Sequence, residues 1–216
     1  MDKKIPLVIA TRNPGKTAEI RDLLTGFQVN IKNLDDFGSI PVVEEDGKTF
    51  DDNAYKKASF TAKILGIPAL ADDSGLVVEA LNGAPGLLSA RYAGENATDE
   101  QRCAKLLREM AGKVNRRAAF ECVISIAVPS GPALTYEARC EGLIVEHPAG
   151  QSGFGYDPIF FYPPLKKTFA QLTREEKGRV SHRGRALNEM KQEFDKVLVW
   201  IRQHMPLEEK FLYKGG

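Results

Sequence analysis

Residues 118–145 read AAFECVISIAVPSGPALTYEARCEGLIV. Two long runs, Ala118–Val128 and Leu134–Val145, flank the turn-forming segment Pro129-Ser130-Gly131-Pro132. Runs rich in β-branched and aromatic residues, with turn residues between them, are typical of a long antiparallel hairpin. Segments with helical spacing occur before and after this hairpin. The sequence therefore predicts an α/β fold with a mixed β-sheet.

Outward from the hairpin, local patterns predict the other elements. The buried strand Ile5–Ala10 leads through a turn into a helix, and Asp52–Leu65 forms a second helix closed by Gly66. Thr98, with Gln101 in the capping-box position, starts a third helix that runs to about Met110. We expect Asp72-Asp73 to end one strand at a chain reversal before a further strand, Gly75–Leu81. A last helix, capped by Ser181, carries apolar residues at helical spacing: Leu187, Met190, Phe194, Val197, Leu198 and Ile201.

Composition restricts the class of protein. The chain has 216 residues, of which 43% are hydrophobic and 27% charged. We expect one folded unit over 1–216. The formal net charge of +1 provides no general attraction for nucleic acid or an anionic membrane, so neither is an expected partner. No apolar run reaches the roughly 20 residues that span a bilayer. The N-terminus resembles no secretory signal, which predicts a cytoplasmic protein, and the three cysteines are expected to be reduced and close to the core.

A first candidate site follows the first strand and reads ATRNPGKT over residues 10–17. A glycine-containing turn between a strand and a helix can present N–H groups to phosphate, and Lys16 adds a positive charge. The segment also fits a loose Walker pattern, with Lys16-Thr17 in the lysine and magnesium-binding positions. A P-loop nucleoside triphosphatase that releases diphosphate and phosphate is therefore an alternative.

A second candidate is the acidic set Glu44-Glu45-Asp46 and Asp72-Asp73. Mg²⁺ usually takes one or two carboxylates and completes its shell with water and substrate phosphates. Two adjacent carboxylates repel each other, so a nearby cation or lysine would stabilise them. The sequence predicts a place for a divalent cation, while a solvated turn remains the alternative.

Two further segments have the composition of a nucleotide site. Glycines flank Phe154 in the segment Gly150–Pro158, so backbone could approach a flat ligand while the ring offers a stacking face. Lys177, His182 and Arg183 supply hydrogen-bond donors close to the start of the last predicted helix. Taken singly, each segment could equally be an ordinary loop or a capped helix.

The order and the amino-acid sequences of these segments resemble those of one family. From Val8 to about Leu187 the chain is similar to the non-canonical purine nucleoside triphosphate pyrophosphatases, also called the inosine/xanthosine triphosphate or dITP/XTP pyrophosphatase family. The resemblance rests on ATRNPGK (10–16), EEDGKTFDDNAYKKA (44–58), ADDSGLVVEALNGAPGLLSARYAG (71–94), GFGYDPIF (153–160) and SHRGRAL (181–187). It implies an elongated sheet with flanking helices that form two lobes around a central cleft, and a homodimer. It fades after Glu189, so the tail His204–Gly216 has no functional prediction.

The resemblance implies Mg²⁺-dependent hydrolysis of ITP, dITP and XTP to the monophosphate and pyrophosphate, which would keep deaminated purines out of the nucleotide pool. Asp73 would be the general base and a metal ligand, and one of Glu44 and Glu45 would complete the metal site. The residues implied to bind substrate are Thr11, Arg12, Asn13, Pro14, Gly15, Lys16, Lys57, Ser74, Phe154, Gly155, Tyr156, Asp157, Lys177, His182 and Arg183. A third possibility is a nucleotide-binding module without catalysis.

Overall fold

The computed structural model describes residues 4–129 and 131–205. Ser130 of the predicted turn and the tail from residue 206 lie outside the described residues. The helices are α1 (Pro14–Leu23), α2 (Phe50–Leu65), α3 (Asp99–Glu109), α4 (Arg174–Val180), α5 (His182–Gln192) and α6 (Phe194–His204). The strands are β1 (Ile5–Ile9), β2 (Val29–Asn33), β3 (Ala69–Val78), β4 (Arg117–Ala127), β5 (Ala133–Ile144), β6 (Phe160–Tyr162) and β7 (Lys167–Thr168).

The seven strands form one sheet in the order β2-β1-β3-β4-β5-β6-β7. β1 pairs in parallel with both β2 and β3, whereas β6 pairs antiparallel with β5 and β7. β4 and β5 are neighbours joined by a short connection, which permits only an antiparallel pair. The prediction of a mixed α/β sheet with a central hairpin is therefore confirmed.

The chain divides into two compact units, and each is built from separate stretches of sequence. Unit 1 comprises Met1–Asp73, Val123–Tyr136 and Ala186–Gly216. Unit 2 comprises Ser74–Cys122 and Glu137–Arg185. The chain crosses between the units four times, and the first crossing lies inside β3, between Asp73 of unit 1 and Ser74 of unit 2. The prediction of one folded unit over residues 1–216 stays a prediction.

Each unit has its own apolar cluster. In unit 1, small side chains of β1, α2 and β3 pack together, with Ala58, Ala62 and Ala69 fully buried. In unit 2 the cluster is more aromatic: Phe120, Phe160 and Phe169 contact one another with ring centres 4.7 to 5.7 Å apart. Alanines let α2 approach β3 closely, and this brings polar residues of the helix to the strand.

Two predicted boundaries were wrong. Asp72 and Asp73 do not stand at a chain reversal, because β3 runs unbroken from Ala69 to Val78. Both carboxylates are paired with lysines, so two acidic residues can lie inside a buried strand. The last helix is also two helices, α5 and α6, which meet at Glu193. The apolar spacing continues across that break and no glycine or proline marks it, so the pattern gave no signal.

Other local predictions are confirmed. Thr98 and Gln101 form the expected capping box at the start of α3, and Ser181 accepts a hydrogen bond from the Gly184 amide in the first turn of α5. Cys103, Cys122 and Cys140 are free and buried. Within residues 4–129 and 131–205, no helix is both long and apolar enough to span a bilayer.

Candidate active site

The turn after β1 is organised by Asn13, the N-cap of α1. Its Oδ1 accepts the N–H groups of Gly15 and Lys16, at 2.9 and 3.2 Å, and its own N–H donates to Oγ1 of Thr11. Pro14 occupies the first position of the helix, where a missing N–H leaves no bond unmade. The backbone donors that we expected to face a phosphate are thus bonded within the turn. The charged side chains of this segment, Arg12 and Lys16, extend away from these bonds and differ in their partners.

Lys16 points at the acidic pair on β3. Its Nζ lies 2.9 Å from Oδ2 of Asp72, whose side chain is fully buried. A parallel neighbour explains the contact, since Ile9 at the end of β1 is in register with Leu70 of β3. The chain that leaves β1 after Ile9 therefore runs beside the part of β3 that follows Leu70, which includes Asp72. The prediction that a lysine could lie close to the aspartate pair is confirmed, with Lys16 at Asp72 and Lys57 at Asp73.

Asp73 is enclosed by polar groups from α2. Nζ of Lys57 lies 3.0 Å from Oδ1 of Asp73, and Nδ2 of Asn53 donates to Oδ2 at 3.1 Å. Burial raises the pKa of the Asp73 carboxyl above its ordinary value, although Lys57 and Lys16 oppose that shift. A carboxylate with raised proton affinity is suited to accept a proton from water.

Lys57 itself is held in the charged form. Burial alone would lower its pKa, but the carboxylates of Asp73, Asp72 and Glu45 outweigh burial and the pKa is raised. The ammonium group therefore lies at the centre of an acidic environment. It neutralises part of the charge that the three carboxylates bring together.

The sequence did not decide whether Glu44 or Glu45 would complete the metal site, and the structure places the two side chains differently. Oε1 of Glu45 lies 2.9 Å from Nζ of Lys57, so Glu45 and Asp73 share one cation. Glu44 is exposed to solvent. Among residues 4–129 and 131–205, no group of three or more His, Cys, Asp or Glu side chains is arranged to hold a metal. Glu45 and Asp73 are the two carboxylates that could hold Mg²⁺ together with substrate phosphates, and this site stays a prediction.

Arg12 lies outside this group of side chains. It is exposed, and its guanidinium donates to the carbonyl oxygen of Ile40 at 3.0 Å. This contact ties the turn after β1 to the segment that leads towards Glu44 and Glu45. A substrate contact from Arg12 stays a prediction.

In unit 2, the loop before β6 is folded around the carboxylate of Asp157. Its Oδ2 accepts the N–H of Phe154 at 2.9 Å and lies 2.6 Å from Nζ of Lys177. A Cβ on Gly153 would lie 2.0 Å from the same oxygen, so only glycine fits there. Asp157 is 2% exposed, and its contacts in the structure stabilise the conformation of this loop.

Positively charged groups approach the Phe154 ring. Nζ of Lys177 lies 4.4 Å from the ring centre, and the Arg183 guanidinium carbon lies 5.6 Å from it. Lys177 belongs to α4 rather than to the helix that begins after Ser181. The structure thus brings Phe154 together with Lys177 and Arg183, and the role of these residues in binding a base stays a prediction.

His182 and Arg183 start α5 and are almost fully buried. The His182 ring is stacked on Phe120, with centres 4.6 Å apart and planes 9° apart. Nη2 of Arg183 donates to Oγ of Ser74 at 2.8 Å. Ser74, the residue after Asp73, thus connects β3 with the basic pair at the start of α5. Its contact with substrate stays a prediction.

Tyr156 faces the interior of unit 2. Only 3% of it is exposed, and its hydroxyl donates to the carbonyl oxygen of Ser89 at 2.9 Å. Burial raises the pKa of the phenol well above its usual range. The aromatic group available to a flat ligand is Phe154, and a direct role for Tyr156 stays a prediction.

Two residues with clear positions were not selected from the sequence. Asn53 contacts Asp73, and Asp99 accepts the N–H of Gly155 through Oδ2 at 2.7 Å. Asn53 precedes Lys57 by four residues, which places both on one face of a helix. Asp99 is the first residue of α3, where its carboxylate also suits the helix dipole. The four-residue spacing of Asn53 and Lys57 could have predicted that both side chains face the same partner. No local pattern could have predicted the contact of Asp99 with Gly155, because the two residues are 56 positions apart.

Unit 1 carries the lysines and carboxylates around Asp73, and unit 2 carries the aromatic and basic side chains around Phe154. The sheet and its flanking helices place the protein in the mixed α/β class. The chain belongs to the Ham1 family, whose model matches residues 7–193.

The protein is similar to two bacterial proteins named dITP/XTP pyrophosphatase. It is 59% identical to the one from Desulfotalea psychrophila, over 94% of this chain and 91% of that protein. It is 60% identical to the one from Syntrophobacter fumaroxidans, over 97% of this chain and 89% of that protein. Among solved structures, a HAM1 protein from Coxiella burnetii superposes with a TM-score of 0.83 at 43% identity, covering 89% of this chain and 99% of that one.

The P-loop alternative is not supported. The match to the Ham1 family covers the Walker-like segment, and the hydroxyl of Thr17 donates to the carbonyl oxygen of Asn13 at 3.1 Å. In a P-loop that hydroxyl would bind magnesium. The resemblance to Gly-Lys-Thr was therefore a coincidence of a short pattern.

Proposed function

We propose that this protein hydrolyses dITP, XTP and ITP to the nucleoside monophosphate and pyrophosphate, with Mg²⁺ as cofactor. The observation that carries the proposal is the acidic pair on β3. Asp72 is bound to Lys16, and Asp73 is bound to Lys57 beside Glu45. Relatives about 60% identical to this chain bear the name of that activity.

The phosphate end of the substrate requires concentrated positive charge. A triphosphate is a multiply charged anion, while the whole chain has a net charge of only +1. Lys16 and Lys57 each lie within 3.0 Å of an aspartate. The aspartates hold both ammonium groups in place before the substrate binds. Phosphate oxygens would then compete with those carboxylates for the ammonium groups.

Asp73 would act as the general base. A water molecule attacks the α-phosphorus, the bond from that phosphorus to the oxygen bridging the α and β phosphates breaks, and pyrophosphate leaves. The proton of the attacking water goes to the Asp73 carboxylate, whose two oxygens are held by Lys57 and Asn53. Asp73 and Glu45 would hold Mg²⁺, which neutralises phosphate charge when bound.

The base end would be read by unit 2. The ring of Phe154 offers a stacking surface, and Lys177, His182 and Arg183 offer donors. Hypoxanthine and xanthine carry a 6-oxo acceptor, whereas adenine carries an amino donor at that position. A site built from donors leaves the adenine amino group unpaired, which disfavours ATP and dATP.

The test is the release of pyrophosphate from a panel of nucleoside triphosphates by the purified full chain with Mg²⁺. We expect monophosphate and pyrophosphate from dITP, XTP and ITP, at rates well above those for dATP and dGTP. Diphosphate and free phosphate as products would overturn the proposal. Omission of Mg²⁺ with added chelator should abolish turnover, and unchanged rates would remove the metal from the proposal.

We also infer a cytoplasmic homodimer. The dimer follows from the family resemblance, and a reducing compartment agrees with three free, buried cysteines. Light scattering on the eluting peak of a sizing column measures the mass directly. A mass of 23.8 kDa at assay concentrations would exclude the dimer.

A further inference from the structure

Asn53 is a buried residue that lies between the loop that carries Glu45 and the strand that carries Asp73. It lies in the first turn of α2 and is 2% exposed. Its Nδ2 donates to Oδ2 of Asp73 at 3.1 Å, and its Oδ1 accepts the N–H of Gly47 at 2.8 Å. One amide group therefore joins the loop that carries Glu45 to the strand that carries Asp73.

We propose that Asn53 is a positioning residue for Asp73, an inference that rests on the proposed pyrophosphatase function. Lys57 holds Oδ1 of Asp73 and Asn53 holds Oδ2, so each carboxylate oxygen has one donor from α2. Two donors on two oxygens fix the plane of the carboxylate. Orientation of the base towards its water matters because small misplacements of reacting groups reduce rates strongly.

The chemistry of an amide suits this position. A second lysine would place another positive charge beside Lys57, whereas the neutral N–H₂ group orients the carboxylate without adding charge. The amide also has an acceptor, which the Gly47 N–H uses. A hydroxyl or a methyl group at residue 53 could not serve both partners at these distances.

Gly47 supports the same interpretation. A Cβ on this residue would lie 2.5 Å from Oδ1 of Asn53 and 2.6 Å from Cβ of Asp52. Its φ lies outside the left-handed region, so backbone freedom is not the reason for glycine here. The absence of a side chain permits the close approach of the loop to Asn53.

The experiment compares Asn53→Leu and Asn53→Asp with the wild-type chain. Leucine has a similar shape and removes both hydrogen bonds. Aspartate keeps an acceptor for Gly47 but sets a carboxylate oxygen against Asp73. We expect kcat for dITP to fall about 10- to 100-fold in both variants with KM within about threefold, since the base is misaligned while phosphate contacts remain.

Thr61→Val is the matched control. Thr61 is another buried polar residue of α2, also 2% exposed, and lies two helical turns further along. Its variant should keep the kcat and KM of the wild type.

Crystal structures of the wild-type and Asn53→Leu chains, both without substrate, provide a readout that is independent of turnover. The Asp73 carboxylate should be rotated in the variant.

Three results would overturn the inference: kcat within threefold of wild type in both variants, an equal loss in Thr61→Val, or an unmoved Asp73 carboxylate. If Asn53→Leu does not fold, Asn53→Asp decides, because it preserves size and polarity. The wild-type assay comes first. A wild-type chain that releases no pyrophosphate overturns the proposed function, and the inference with it.

Discussion

Nζ of Lys177 lies 2.6 Å from Oδ2 of Asp157, with only 9% and 3% of the two side chains exposed. The same oxygen accepts the N–H of Phe154. One buried ion pair thus fixes both the loop and the aromatic ring that would face the base.

Asp157→Asn should destabilise the fold, because it leaves the Lys177 charge buried without its carboxylate. Removal of one partner of a buried pair typically lowers the free energy of unfolding by about 3 to 5 kcal/mol. Urea unfolding measures the change. The control is Glu175→Gln, which breaks the exposed pair with Arg179 in the same helix and should leave the unfolding midpoint almost unchanged. Equal effects of the two substitutions would contradict the role of burial.

Lys16→Ala should lower kcat/KM for dITP by about 10- to 1,000-fold, since it removes one of the two lysines assigned to phosphate. Steady-state kinetics measure the change. Lys63→Ala removes an exposed lysine from the last turn of α2 and should have no effect. If Lys16→Ala retained the wild-type kcat/KM, the phosphate role of Lys16 would be wrong.

Asp73→Asn should abolish turnover while dITP still binds. The base is lost, but Lys57 keeps Glu45 as a partner at 2.9 Å, so the phosphate contacts survive. Pyrophosphate release and calorimetric titration with dITP give the two readouts. Turnover close to wild type would assign the base elsewhere. Loss of turnover with retained binding also excludes a non-catalytic nucleotide-binding module for the wild type.

His182→Phe should narrow the preference for dITP over dATP. Phenylalanine can keep the stacking on Phe120, where the ring centres are 4.6 Å apart, but it has no ring nitrogens to read the base. The ratio of kcat/KM values for the two substrates is the measurement. Arg183→Lys, which loses the planar guanidinium beside Phe154, should act in the same direction. A lower rate with an unchanged ratio would move these residues from base recognition to phosphate binding.

The three free thiols should be unreactive in the native protein. Burial raises the pKa of Cys103 to about 12 and that of Cys140 to about 11, so little thiolate is present at about pH 8. A thiol reagent should modify them only after denaturation. The pKa of Cys103 in the folded state exceeds the ordinary 9.0, so the folded state holds the thiol proton more tightly than the unfolded state does. The contribution of this difference to the free energy of unfolding is complete below about pH 9. It is lost as pH rises towards 12. Fast labelling of the native protein would contradict the raised pKa values of these thiols.

The sequence by itself determined the mixed α/β class, the family resemblance and most of the candidate residues. Strands and helices repeat their apolar residues with fixed periods, so the hairpin over 118–145 and the helix with Lys57 were visible as local patterns. Short motifs such as ATRNPGK and GFGYDPIF identified the candidate binding segments in the same way. Capping pairs such as Thr98 and Gln101 are local as well.

Only the tertiary structure decided which side chains meet. It separated Glu45, beside Lys57, from exposed Glu44, and it brought Asn53 to Asp73 and Asp99 to Gly155. It also placed Asp72 and Asp73 inside a continuous strand and turned Tyr156 inwards. Hydrogen bonds and ion pairs act over about 3 Å between residues that can be far apart in the chain. Their partners are therefore fixed by packing in three dimensions, which no local spacing records.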